Sequence, residues 1–93
     1  MIESKIEQAL TVEAKKRGGL ALKFVSPGMS GVPDRLVLMP YGMIAFVELK
    51  ATGKKLRPQQ IKRKRQLESL GFKVYVIDDK KQIGGVLDEI EKR

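Results

Sequence analysis

No cysteine, histidine or tryptophan occurs in these 93 residues. The missing cysteines exclude disulfides, thiolate metal sites and cysteine nucleophiles. The missing histidines exclude the commonest general base and a common zinc ligand. Any metal must therefore be held by oxygen, and any general base must be a carboxylate, a lysine or a metal-bound water. Aromatic residues make up only 5% of the chain, too few for the base-stacking platforms of single-strand-binding proteins. No apolar run approaches the roughly 20 residues of a bilayer-spanning helix, and no stretch reads as a signal peptide. The expectation is a soluble, cytoplasmic protein with no membrane partner.

Acidic residues are also in short supply, with 11 against 19 Lys and Arg, for a net charge of +8 and a pI near 9.9. A balance of that sign predicts an anionic partner, most simply nucleic acid. The length suits one domain over residues 1–93, with roughly 60–70% of the unfolded chain's surface buried on folding.

The chain is organised around residues 33–50. An apolar run, Arg35 to Met39, reads as a strand entered through Val32 and Pro33. Pro40, Tyr41 and Gly42 carry a turn signal. Met43 to Lys50 reads as a second strand, rich in β-branched and aromatic residues. Side chains alternate along a strand, so Glu48 and Lys50 share a face with Ile44 and Phe46. A carboxylate and an ammonium ending an otherwise buried strand are costly unless paired or metal-bound. In an antiparallel hairpin, the start of one strand sits beside the end of the other, so Asp34 should join Glu48 and Lys50. Two carboxylates and a lysine can serve Mg²⁺-dependent phosphodiester hydrolysis. The same spacing also suits a surface ion pair on an edge strand, with Asp34 as a turn residue.

Around this hairpin, Ile2 to Arg17 reads as a helix with Ile2, Ile6, Ala9 and Leu10 on one stripe. Gly18 and Gly19 end it. Glu3 and Glu7 lie one turn apart on the flank of that stripe, where acidic residues also suit a solvated helix edge. Leu20 to Val25 is a strand candidate, and residues 26–31 form a glycine-containing loop, either a phosphate-approaching turn or a connector. A helix from Pro58 to about Leu70 has Ile61, Leu67 and Leu70 as its narrow apolar stripe, with Gln60 facing the sheet. Lys54, Lys55, Arg57, Lys62, Arg63, Lys64 and Arg65 put seven basic residues, and no acidic one, between positions 54 and 65. Such a run repels itself and suits phosphates better than base edges. Phe72 to Asp78 reads as the last strand, and Ile83, Val86, Leu87 and Ile90 mark an amphipathic final helix. The resulting order is α-β-β-β-α-β-α, an α/β fold with a mixed central sheet flanked by helices. Its last strand is joined in parallel through a right-handed crossover.

Pro33-Asp34, thirteen residues, then Glu48-Leu49-Lys50 resembles the PD-(D/E)xK signature of restriction-endonuclease-like nucleases. Gly31-Val32-Pro33-Asp34-Arg35, Phe46-Val47-Glu48-Leu49-Lys50 and Leu56-Arg57-Pro58-Gln59-Gln60, with the basic helix and Leu70-Gly71-Phe72-Lys73-Val74, narrow the likeness. Together they resemble the virus-type replication-repair nuclease (VRR-NUC) family over nearly the whole chain. The resemblance implies a restriction-endonuclease-like core. It implies Mg²⁺ or Mn²⁺ held by Asp34, Glu48 and the Leu49 backbone carbonyl, with Lys50 and Gln60 at the attacking water and the phosphate. It further implies a first-helix glutamate completing the site, with Glu7 better spaced than Glu3. Arg35 and the basic run would contact DNA. A stand-alone form like those of phages and mobile elements implies a bacterial host cell and a two-fold homodimer acting on four-way junctions or other branched DNA. The final helix and the hairpin are the candidate dimer surfaces. The competing reading is a basic nucleic-acid-binding module without catalysis.

Overall fold

The computed structural model describes residues 2–92. Helix α1, Glu3–Lys16, buries Ile6, Leu10 and Ala14, a stripe spaced by four residues along one face. Ile2 lies before the helix and is exposed. Gly18, at φ 83°, lets the chain reverse, and the Gly19 N–H donates to Ala14 O at 2.9 Å, satisfying a carbonyl of the last helical turn.

Four strands follow: β1 (Leu20–Lys23), β2 (Arg35–Met39), β3 (Met43–Leu49) and β4 (Val74–Ile77). They lie in the spatial order β1-β2-β3-β4, with β1–β2 and β2–β3 antiparallel and β3–β4 parallel. The β2–β3 connection is a single 3-10 turn, Pro40–Gly42, in which both Tyr41 (φ 68°) and Gly42 (φ 74°) are left-handed. Helix α2, Pro58–Ser69, supplies the crossover between the parallel strands, and helix α3, Ile83–Glu91, closes the described chain. The fold is therefore the mixed α/β sheet with flanking helices that the sequence pattern implied. Before α3, Asp79 caps a short 3-10 turn, Lys80–Gln82.

The two faces of the sheet are unlike. Val37, Met39, Ala45, Val47, Leu49 and Ile77 point to one face, where they pack with Ile6, Leu10 and Ala14 of α1 and Ile83, Leu87 and Ile90 of α3. That is the main core, and it uses the apolar stripe of α3, which is therefore not open to a second molecule. The other face carries Leu20, Leu22, Leu36, Leu38, Ile44, Phe46 and Glu48, placed side by side by strand register. Helix α2 packs against the β3–β4 side of this face. Its inward residues are Gln60, Arg63 and Leu67, while Ile61 and Leu70 are exposed. The apolar stripe expected for α2 is thus largely polar. Phe24, Phe46 and Phe72 fill the space beside it, with ring centroids 5.4 and 5.8 Å apart.

Candidate active site

Antiparallel pairing of Arg35 with Val47 brings the residue before β2 beside the end of β3. Asp34 and Glu48 consequently meet across the hairpin. The Leu49 backbone N–H donates to Asp34 Oδ2 at 2.9 Å, which fixes the aspartate against the neighbouring strand. The Lys50 backbone N–H donates to Ile77 O at 2.9 Å, extending the β3–β4 ladder just far enough to hold the lysine. On the helix side, Pro58 starts α2, and Gln60 stands in its first turn. Gln60 Oε1 accepts from the Arg57 N–H at 2.9 Å, leaving Gln60 Nε2 to donate to Glu48 Oε2 at 2.7 Å. One side chain thus caps the helix and orients the carboxylate.

Glu48 and Lys50 are only 4% and 8% exposed, and Lys50 Nζ lies 3.8 Å from Glu48 Oε2. This is not an exposed ion pair on an edge strand: β3 is central, flanked by β2 and β4. Burial is the largest influence on Glu48 and pushes its pKa up from 4.5 to about 7. The Asp34 charge adds to the rise, and Lys50 opposes it without cancelling it. Glu3, the first residue of α1, adds a smaller push in the same direction.

Glu7 is placed differently. Its Oε1 lies 2.8 Å from Arg35 Nη2, and Arg35 Nη1 donates to Ala21 O at 3.3 Å. The Arg35 Nε–H is buried without a partner. Glu7 and Arg35 together tie α1 to the start of β2, where Arg35 directly follows Asp34 and pairs with Val47. Of the basic residues, Lys54, Lys55, Arg57, Lys62 and Arg65 are exposed along the loop and the outer side of α2. Lys64 is half-buried and pairs with Glu68 at 2.9 Å. Arg63, only 9% exposed, turns inward, where its Nε–H donates to Ser30 O at 3.0 Å.

The donor set suits a hard divalent cation. Asp34 and Glu48 offer carboxylate oxygens, and the Leu49 carbonyl is the adjacent backbone oxygen. The raised pKa of Glu48 comes first from burial and then from the Asp34 charge, and Lys50 offsets only part of it. Among the described residues, no three acidic side chains form a ready metal cage, so water or substrate oxygens would complete the coordination.

Sequence reasoning passed over the loop at residues 26–31 as a structural part of the site. Gly31 has φ +80°, and a Cβ there would stand 2.6 Å from Gln59 O. Its glycine therefore serves close packing against α2. Gln59 Nε2 donates to Ser30 Oγ at 3.0 Å. The signal available in the sequence was Gly31 itself, two residues before Pro33.

Comparison with known proteins identifies the family. The VRR-NUC domain family matches residues 3–80. A phage protein named "Putative nuclease p44", from Acyrthosiphon pisum secondary endosymbiont phage 1, is 53% identical over 76 residues, covering 82% of each chain. A solved structure of a VRR-NUC domain superposes with a TM-score of 0.85 at 31% identity, covering 92% of this chain and 94% of the other. With a family match spanning α1 to β4 and the paired carboxylates, lysine and glutamine meeting at one end of the sheet, the chain belongs to the VRR-NUC family of nuclease domains.

Proposed function

We propose that this protein is a divalent-metal-dependent endonuclease that cuts four-way junctions or other branched DNA as a homodimer. The observation that carries the catalytic part is the buried Glu48 carboxylate, held by Gln60 at 2.7 Å beside Asp34 and Lys50. A carboxylate that burial and Asp34 disfavour, and that Lys50 only partly offsets, is suited to a bound cation.

In this reading Asp34, Glu48 and the Leu49 carbonyl hold Mg²⁺ or Mn²⁺, and Glu3 completes the site through water. The bound cation supplies charge neutralisation at the scissile phosphate and a more acidic water. The chain's own groups do the rest. Gln60 keeps Glu48 in one orientation, and the Leu49 N–H does the same for Asp34. Lys50, fixed at the end of β3, orients the attacking water and offsets charge building on the phosphate. The exposed cations Lys54, Lys55, Arg57, Lys62 and Arg65 track the DNA backbone, while Arg35 and Arg63 serve inside the fold.

The homodimer is assigned to the open sheet face. Leu20, Leu22 and Ile44 are 45%, 42% and 39% exposed, adjoin Leu36 and Leu38, and include no charged side chain. A row of aliphatic side chains on a sheet can pack against its own copy about a two-fold axis. Two active sites related in that way suit the two equivalent strands of a four-way junction.

The test is cleavage of an end-labelled synthetic four-way junction beside a matched linear duplex, with Mg²⁺, Mn²⁺ or EDTA. Paired symmetric nicks on the junction alone, abolished by EDTA, are the expected result. Cutting of both substrates would retain the nuclease and remove the junction selectivity. Salt-sensitive binding without cutting in either metal would leave a non-catalytic nucleic-acid-binding module.

A further inference from the structure

Within the basic run of α2, one cation is unlike the rest. Arg63 is buried, its Nε–H donates to Ser30 O at 3.0 Å, and its Nη1 donates to Gln66 Oε1. A guanidinium presents its donors in a rigid planar fork, and here the fork holds a helix side chain and a loop carbonyl together. A second tie runs in parallel, from Gln59 Nε2 to Ser30 Oγ at 3.0 Å. Directly beside it, Gly31 packs so closely that a Cβ would overlap the Gln59 backbone. Contacts from two successive helical turns, at Gln59 and Arg63, thus fasten residues 30–31 to the first half of α2.

What the clamp joins is decisive. Ser30 and Gly31 lead through Val32 and Pro33 into Asp34, which is bonded to the Leu49 N–H. The other side of the clamp, α2, carries Gln60, which is bonded to Glu48. Asp34 and Gln60 come from separate elements, and in sequence they are far apart. Arg63 is the buried side chain that links those elements outside the strand ladder.

We infer that Arg63 is a positioning residue for catalysis: it locks the loop at residues 26–31 to α2 so that Asp34 and the Gln60–Glu48 pair hold a common geometry. This rests on the nuclease reading above for its consequence, though not for its structural content. It also makes Arg63 distinct from its neighbours Lys62 and Arg65, whose side chains face solvent.

The variant Arg63→Lys keeps the charge but cannot make both fork bonds. If Arg63 positions the site, turnover on a fluorescein-labelled four-way junction at saturating protein and Mg²⁺ falls roughly 10- to 100-fold, the penalty expected for misplacement by about 1 Å. The junction Kd and its salt dependence stay as in the wild type. If Arg63 were a phosphate contact, Arg63→Lys would cut normally, and Arg63→Ala would lower the slope of log Kd against log salt by about 0.9. That pattern would overturn the inference. Gln59→Ala removes the exposed tie without emptying a buried position. It is expected to lower turnover in the same direction by a few-fold, and to act non-additively with Arg63→Lys.

Hydrogen exchange of the metal-free protein separates failure of this inference from failure of the nuclease reading. Arg63→Lys should raise exchange at residues 29–34 while α1 and β3 stay protected. Unchanged exchange there overturns the clamp whatever the cleavage assay reports. Faster exchange in a protein whose wild type cuts nothing keeps the clamp and overturns the nuclease reading.

Discussion

Replacing Glu48 with glutamine should stabilise the metal-free protein while destroying its activity. The folded state holds the Glu48 carboxyl at a pKa of about 7, against 4.5 for the free group. Between those two values the folded protein binds more protons than the unfolded chain, so its stability falls as pH rises through that window. Above pH 7 the loss is complete. At 1.36 kcal/mol per unit, the shift corresponds to about 3 kcal/mol. Glutamine has nearly the same shape, carries no charge, and retains an oxygen to accept from Gln60 Nε2. The variant therefore escapes this loss. In a domain of this size about 1 kcal/mol moves Tm by roughly 4–8 °C. In EDTA at pH 8, Glu48→Gln should melt roughly 10–20 °C above the wild type, and at pH 4.5 the two should nearly coincide. Adding Mg²⁺ should raise the wild-type Tm and leave the variant almost unmoved. The assay is a set of circular-dichroism melts from pH 4.5 to 8.5, with and without metal. A variant melting no higher than the wild type at pH 8 in EDTA would refute the reasoning. So would a gap that does not close at low pH.

Asp34→Ala should abolish junction cleavage, by at least about 100-fold, while gel-shift affinity in Ca²⁺ stays within about 3-fold. Full cleavage by this variant would remove Asp34 from the site. Glu3→Gln and Glu7→Ala should separate two roles. The first should weaken Mg²⁺ activation with little change in Tm. The second should lower stability by about 1–2 kcal/mol, because Arg35 loses its partner, with a weaker effect on the Mg²⁺ requirement. The opposite pattern in the melts and metal titrations would return Glu7 to the metal. Leu22→Glu places a charge on the open sheet face and should convert a dimer to a monomer in sedimentation velocity. It should also turn paired junction nicks into single ones; a variant that sediments like the wild type would move the interface elsewhere.

Much of this protein was legible in its sequence because its signals are local. The absence of Cys and His restricted any metal to oxygen ligands. Period-two patterning and turn residues placed the β2–β3 hairpin, and the hairpin's geometry alone put Asp34 near Glu48 and Lys50. Gln60 toward the sheet followed from helical periodicity. The signals that failed were those that depend on what lies opposite. Ile61 and Leu70 read as the inward stripe of α2, yet the helix meets the sheet through Gln60, Arg63 and Leu67. The cause is that Glu48 and the Ser30 carbonyl wait on that side and require donors.

Charge alone likewise placed Arg63 among its exposed neighbours, because composition cannot tell a solvated cation from one that bonds a carbonyl 33 residues away. Spacing to the terminal glycine favoured Glu7 over Glu3. The tertiary structure pairs Glu7 with Arg35, the residue after Asp34, a contact that spacing could not show. The sequence by itself determined the elements, their order and the chemistry of the paired carboxylates, since propensity, periodicity and residue type act over a few positions. Only the tertiary structure decided which carboxylates and cations meet, how deeply Glu48 is buried, and which sheet face stays open. Those depend on packing between elements, and packing is set by the whole fold.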